Sequence, residues 1–191
     1  LITKGKDWFV NWADFPSISY NKTSNTFFSF NLQKSSEETF SYDINYFFKK
    51  GEWIDMKNIH TDNTFTEHGF VSVAPYGEGF IASWLDGRNT VPSSDGHGKG
   101  AMTLRSAEID KEGEIINERL VDNMVCDCCQ TSMTIAGEIP LVVFRDRSPE
   151  ETRDIYVSRY INSEWSEPIP IHDDGWTING CPVNGPNIDS F

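Results

Sequence analysis

Four cysteines are placed unevenly along this chain: Cys126, Cys128 and Cys129 fall within four consecutive residues, and Cys181 stands far downstream. Thiolates joined by an imidazole suit zinc or cuprous copper, with metal–sulfur bonds of roughly 2.3 Å for zinc. Cysteines in even number also pair as disulfides in exported proteins. Buried thiols without a further role are the third reading, and it leaves the crowding unexplained. His68 is the histidine best placed to join the sulfurs, and Glu67 beside it could orient the ring or act as a base. On residue type alone, Arg88, Arg145, Arg147 and Arg153 read as ion pairs at strand ends, with Asp86 and Asp146 as partners.

The elements that must position these groups are strands. Short runs of β-branched and aromatic residues, bounded by Gly, Pro, Asn and Asp, recur along the whole length, while helix signals are scarce. Strands are predicted over residues 26–31, 42–48, 69–74, 79–85, 100–109, 132–135, 141–145 and 155–161. Turns are predicted at residues 50–51, 76–79, 111–113 and 136–137. A longer Gly/Ser-rich loop at residues 90–100 is expected to be mobile or to close over a site.

A repeat organises them. Trp53 is followed by His60 and Asp62, and Trp165 by His172 and Asp174 at the same spacings. Asp122 opens a further copy, written Asp-Asn-Met-Val against Asp-Asn-Thr-Phe at Asp62, and a weaker copy covers residues 13–17. Twenty-four residues beyond Asp62 and Asp122 stand Asp86 and Asp146, each closing an apolar run. Self-similarity at a period near 50 residues points to blades or arrays, and units of this length fit four-stranded β-propeller blades, of which three to four are present. A β-sandwich needs no such repeat. The expected fold is therefore one all-β domain over residues 1–191, a β-propeller of four-stranded antiparallel blades, incomplete unless a second copy of the chain completes the ring.

The register then brings distant residues together. Six residues past Asp62, Asp122 and Asp174 stand His68, Cys128 and Gly180, and seven past them Gly69, Cys129 and Cys181. If these positions begin the inner strands, Cys126, Cys128, Cys129, Cys181 and His68 meet on the propeller axis. Alternation along an extended strand would send Cys126 and Cys128 to one face and Cys129 to the other. His60 and His172 are expected to pack or cap turns, and His97 to be solvated. Trp53 and Trp165 read as packing between strands, whereas Trp176 is a candidate for stacking on a sugar ring. Asn184 lies in the turn-rich stretch 179–186, which could wall a pocket.

The stretch Asp154-Ile155-Tyr156-Val157-Ser158-Arg159, leading to Trp165-Ser166-Glu167-Pro168, resembles the Asp-box (BNR) hairpin of sialidase-like propellers, in which Ser precedes Trp by seven residues. Tyr160, Asn162 and Glu164 replace the Asp, Gly and Thr of that motif, and residues 42–53 form a poorer copy. The resemblance implies a glycan-directed hydrolase of exo-sialidase type, or an inactive relative that binds glycans. It implies an arginine cluster clamping a substrate carboxylate, a Tyr–Glu pair and an acidic Asp. Arg88, Arg145, Arg147, Asp146 and Glu67 are the catalytic candidates, with Asp14, Trp176 and Asn184 against the substrate and the tyrosine left open. No cofactor is required in that reading. A metal-binding propeller using the Cys/His group and a disulfide-stapled interaction module are the alternatives.

Composition narrows the partners. With 16 Lys and Arg against 29 Asp and Glu, a net charge of -13 offers no footprint for phosphate backbones or anionic lipid, so neither nucleic acid nor membrane is expected. Apolar runs such as residues 139–144 are far shorter than the roughly 20 residues that cross a bilayer. No signal peptide is visible, and the cysteines lead us to expect an exported protein.

Overall fold

The structure, a computed structural model, describes residues 1–90 and 100–191, so most of the loop expected at residues 90–100, including His97, lies outside it. The described residues form thirteen strands and no helix. Strands β1 (Ile18–Asn21), β2 (Thr26–Lys34), β3 (Tyr42–Lys50) and β4 (Glu52–Asn58) make the first sheet in sequential order. The second sheet is β5 (His68–Tyr76), β6 (Gly79–Asp86), β7 (Met102–Ile109) and β8 (Ile115–Val125). The third is β9 (Ser132–Ala136), β10 (Ile139–Arg145), β11 (Ile155–Ile161) and β12 (Glu164–Trp165), with β13 (Ile169–Pro170) also pairing with β11. Every pairing between these strands is antiparallel, so each sheet is a meander of consecutive hairpins and the three are blades of a β-propeller.

The blades are held by apolar layers between their faces. Phe28, Phe30 and Leu32 of β2 and Ile44, Tyr46 and Phe48 of β3 pack against Phe80, Ala82 and Trp84 of β6. Ile81 and Leu85, on the opposite face of β6, pack toward the third blade with Tyr160 and with Val142 and Phe144 respectively. All eight residues of β6 are consequently buried. A strand sandwiched on both faces reads as a nearly continuous apolar run, here interrupted by Ser83, which is why residues 79–85 were legible as a strand. Strands β1, β4, β8, β12 and β13 were not anticipated. They lie at sheet edges, and β8 follows β7 through three register shifts, so its apolar residues do not alternate.

The repeat has a physical counterpart. His60 Nδ1 lies 2.8 Å from Asp62 Oδ1, and His172 Nδ1 lies 2.9 Å from Asp174 Oδ1. The Thr64 N–H donates to Asp62 and the Met124 N–H to Asp122, the Asx geometry that turns a chain toward its next element. Trp165 donates its indole N–H to Ser106 Oγ across the blade boundary, while Trp53 lies beside Phe27 and Lys49 within the first blade. In the turn between β7 and β8, Gly113 has φ of +91° and presses on the Phe48 ring, where a Cβ would come within 2.7 Å.

Candidate functional site

The segments that enter β1, β5 and β9 carry the acidic groups. Asp14 precedes β1 and is almost wholly buried; its Oδ2 accepts the Phe70 N–H at 2.9 Å. The Tyr42 hydroxyl, at the start of β3, donates to Glu67 Oε1 at 2.7 Å and stands 3.3 Å from Asp14 Oδ2. Phe9 stacks flat on the Tyr42 ring at 3.9 Å, which seals the phenol away from solvent. This approach requires Gly69, because a Cβ there would collide with Asp14 Oδ2 and the Tyr42 ring. Phe70 takes a left-handed φ of +54° beside a bulge in β5. Such strain costs about 1–3 kcal/mol and gathers at functional sites.

Electrostatics follow from this packing. Burial pushes the Asp14 carboxyl up to about 7, against the opposing hydrogen bonds from Phe70 and Tyr42. Asp14 Oδ1 is buried without a hydrogen-bond partner, and an ionised oxygen there would be costly. Burial also raises Glu67 to about 7; the Tyr42 hydrogen bond opposes the rise, while the charges of Asp14 and Asp127 add to it. Tyr42 is driven well above the usual phenol range by burial and by both carboxylates. Three acidic groups thus compete for protons in one hydrogen-bonded cluster.

Asp127 is the carboxylate that the sequence reading missed. It stands five residues past Asp122, as Glu67 stands five past Asp62, so the repeat carried the signal one position earlier than the offsets used to find the cysteines. Arg147 Nη1 lies 3.1 Å from Asp127 Oδ1, and Arg147 also pairs with Glu151 at 2.7 Å. Arg153 meets Glu151 at 2.7 Å. The predicted residues Arg145, Trp176 and Asn184 come together: Arg145 donates to the Asn184 backbone oxygen at 3.0 Å and covers one face of the Trp176 indole, 4.7 Å from its centroid. Trp176 is 37% exposed, and Asp154 fixes its turn by accepting the N–H groups of Gly175 and Trp176 at 2.9 Å. Asp146 bonds along the backbone to Asp154, and burial raises its carboxyl to about 6.

Arg88 sits elsewhere. It grips Asp86 through two 2.7 Å bonds and meets Glu118 at 2.9 Å and Asp62 at 3.4 Å, the ion-pair alternative considered from sequence. His68 belongs to this network rather than to the cysteines. Its ring stacks on His60, centroids 3.7 Å apart and planes 3° from parallel, among Asp43, Asp62 and Asp86. Burial works against protonation of His68, but the carboxylates win and its pKa is raised. Asp43 with His60 and His68, and Asp62 with His68 and Asp86, are close enough to share an ion. A metal in the plane of one ring, however, would lie out of the plane of its parallel neighbour, and Arg88 already neutralises Asp86. His60 Nε2, His68 Nε2 and Asp43 Oδ1 are all buried without a hydrogen-bond partner.

The sulfurs also part company. Cys128 and Cys181 form a disulfide, while Cys126 and Cys129 face one another with Sγ atoms 2.8 Å apart. The expected strand alternation does not apply. β9 begins at Ser132, so residues 126–129 form a turn that folds Cys126 back onto Cys129, whereas His68 is itself the first residue of β5. Equal offsets in the repeat therefore land on a turn in one blade and on a strand in another.

No protein-family model matches this chain, and no curated protein matches its sequence. Solved structures do match. An α-L-arabinofuranosidase from Lactobacillus brevis superposes with a TM-score of 0.51 at 11% identity, over 81% of this chain and 54% of that one. A thermostable family-43 glycoside hydrolase superposes with a TM-score of 0.52 at 8% identity, over 83% of this chain and 54% of that one. The chain shares their fold. It spans about half the length of these structures.

Proposed function

We propose that this chain carries the acid–base centre of a glycan-directed hydrolase, built from Glu67 and Asp127 at equivalent entries to adjacent blades. The observation that carries the reading is the contrast between the two carboxylates. Burial and the neighbouring acids Asp14 and Asp127 raise Glu67 to about 7 against the opposing Tyr42 hydrogen bond, which holds part of it protonated near neutral pH, while Arg147 pairs with Asp127. Glycosidic cleavage needs that division of labour: one carboxyl gives a proton to the leaving oxygen, and an ionised carboxylate on the other side attacks or activates water. Fold likeness to two glycoside hydrolases supports the substrate class by analogy.

Within this reading Tyr42 and Asp14 are positioning residues. The Tyr–Glu–Asp set matches the residue types that the sialidase resemblance implies. Tyr42, however, is fully buried under Phe9, so it orients Glu67 rather than attacking substrate. Trp176, backed by Arg145, offers its open face to a sugar ring, and Arg145 beside Trp176 and Arg147 beside Asp127 are cations that could meet an acidic sugar.

The test is turnover by the full chain of umbelliferyl glycosides of N-acetylneuraminic acid and α-L-arabinofuranose. Hydrolysis of the first supports the sialidase refinement, and hydrolysis of the second a furanosidase. For whichever is cleaved, Glu67→Gln and Asp127→Asn are each expected to lower kcat by about 10²–10⁴-fold with the melting temperature retained. Silence toward both substrates, or full activity in both variants, overturns the proposal.

A further inference from the structure

We infer that Cys126 and Cys129 are a second disulfide-forming pair, which closes the turn around Asp127 with a covalent bond. Their Sγ atoms approach to 2.8 Å, well inside the distance at which unbonded sulfurs rest. Both side chains are fully buried, so the pair is enclosed between blade entries rather than displayed for catalysis at the surface. The Cys128–Cys181 disulfide lies in the same turn, and the sulfurs of Cys126, Cys128 and Cys129 all fall within 4.8 Å of one another. A chain that holds one such bond belongs where disulfides persist. A metal is the competing occupant, and the geometry opposes it. An ion bonded to both sulfurs at roughly 2.3 Å would subtend only about 75° between them, far from tetrahedral, and Cys128 is already committed to Cys181.

In the folded chain Arg153 Nη1 donates to Cys126 Sγ at 3.3 Å, so the guanidinium covers that sulfur once the turn has closed. The oxidant is a disulfide donor of the exporting compartment, a protein or a small molecule. Cys126 thiolate attacks one donor sulfur; the donor S–S bond breaks, and its other sulfur leaves as a thiolate. Cys129 then loses its proton to water and attacks Cys126 Sγ, releasing the donor's second thiolate. The two cysteines lose two electrons and the donor gains them. Because both sulfurs are buried in the folded chain, the exchange takes place before the second and third blades close on the turn.

The consequence reaches the site without depending on what the site does. Arg153, Glu151, Arg147 and Asp127 form a continuous chain of ion pairs starting at Cys126 Sγ. A bond across Cys126 and Cys129 holds Asp127 in place from the backbone side, as Arg147 does from the side-chain side.

The test is mass spectrometry of the full chain, secreted into an oxidising compartment and unfolded in guanidinium with an alkylating agent. The expected result is that no cysteine is alkylated and the intact mass lacks the hydrogens of every thiol. The digest should place one linkage within the peptide that holds Cys126 and Cys129, with Cys128 tied to Cys181. Alkylation at Cys126 and Cys129, any linkage that joins either of them to Cys181, or stoichiometric zinc or copper with reduced sulfurs overturns the inference. The readout is a mass, so it stands or falls separately from the hydrolase assay.

Discussion

The proton on Glu67 is governed by a residue that substrate does not touch. Tyr42 donates to the Glu67 carboxylate at 2.7 Å and thereby stabilises its ionised form, against burial and the neighbouring acids. Tyr42→Phe removes that donor, so the Glu67 carboxyl rises above its present value of about 7. The alkaline limb of kcat/KM is expected to move to higher pH in this variant, and a pH–rate series on the cleaved glycoside reads the shift. A limb that stays put or moves down would separate Tyr42 from the chemistry. Glu67 and Asp14 were candidates in the sequence that nothing there ranked, and Tyr42 was one tyrosine among several until β3 brought its hydroxyl between them. Asp127 was equally present in the repeat, hidden by the cysteines that flank it.

Turns and strand entries decide whether those side chains meet. Gly113 and Gly51 both close hairpins with positive φ, yet only Gly113 has a neighbour, the Phe48 ring. Gly51→Ala should cost about 1–2 kcal/mol from backbone strain alone. Gly113→Ala should cost more, because its Cβ enters the layer between the first two blades. Chemical denaturation of both variants reads the difference, and equal losses would show that the layer yields freely at Phe48. The hairpin turns and eight of the strands were readable because Gly-rich punctuation separates apolar runs. The five remaining strands are edge elements whose pairing is short or interrupted by bulges, and pattern alone does not announce them. The same limit misplaced His68. An offset counted along the repeat assumes that every inner strand starts at the same point, and β5 and β9 do not.

Across the whole molecule the buried ionisable groups pull stability in one direction over a defined window. Asp14, Glu67 and Asp146 have folded pKa values above their unfolded ones, so the folded state binds more protons between about pH 4 and pH 7 and stability falls as pH rises through that range. Keeping Asp14 alone ionised costs on the order of 4 kcal/mol. His68, whose pKa is raised, contributes stability that is complete below its unfolded value and lost as pH rises through its folded one. Asp62 and Asp86 are lowered, so their contribution fails only in acid, below the ordinary carboxylate range. The melting temperature is therefore expected to be higher at pH 5.5 than at pH 8, with relief of the net charge of -13 acting in the same sense. A chain more stable at pH 8 would mean that these acids are solvated. The most direct measurement is of Glu67 itself. In a ¹³C NMR titration of glutamate-labelled full chain, with Glu67→Gln identifying the resonance, its carboxyl is predicted to titrate near pH 7. A midpoint near 4.5, the ordinary value for glutamate, would contradict the account of this residue as the proton donor.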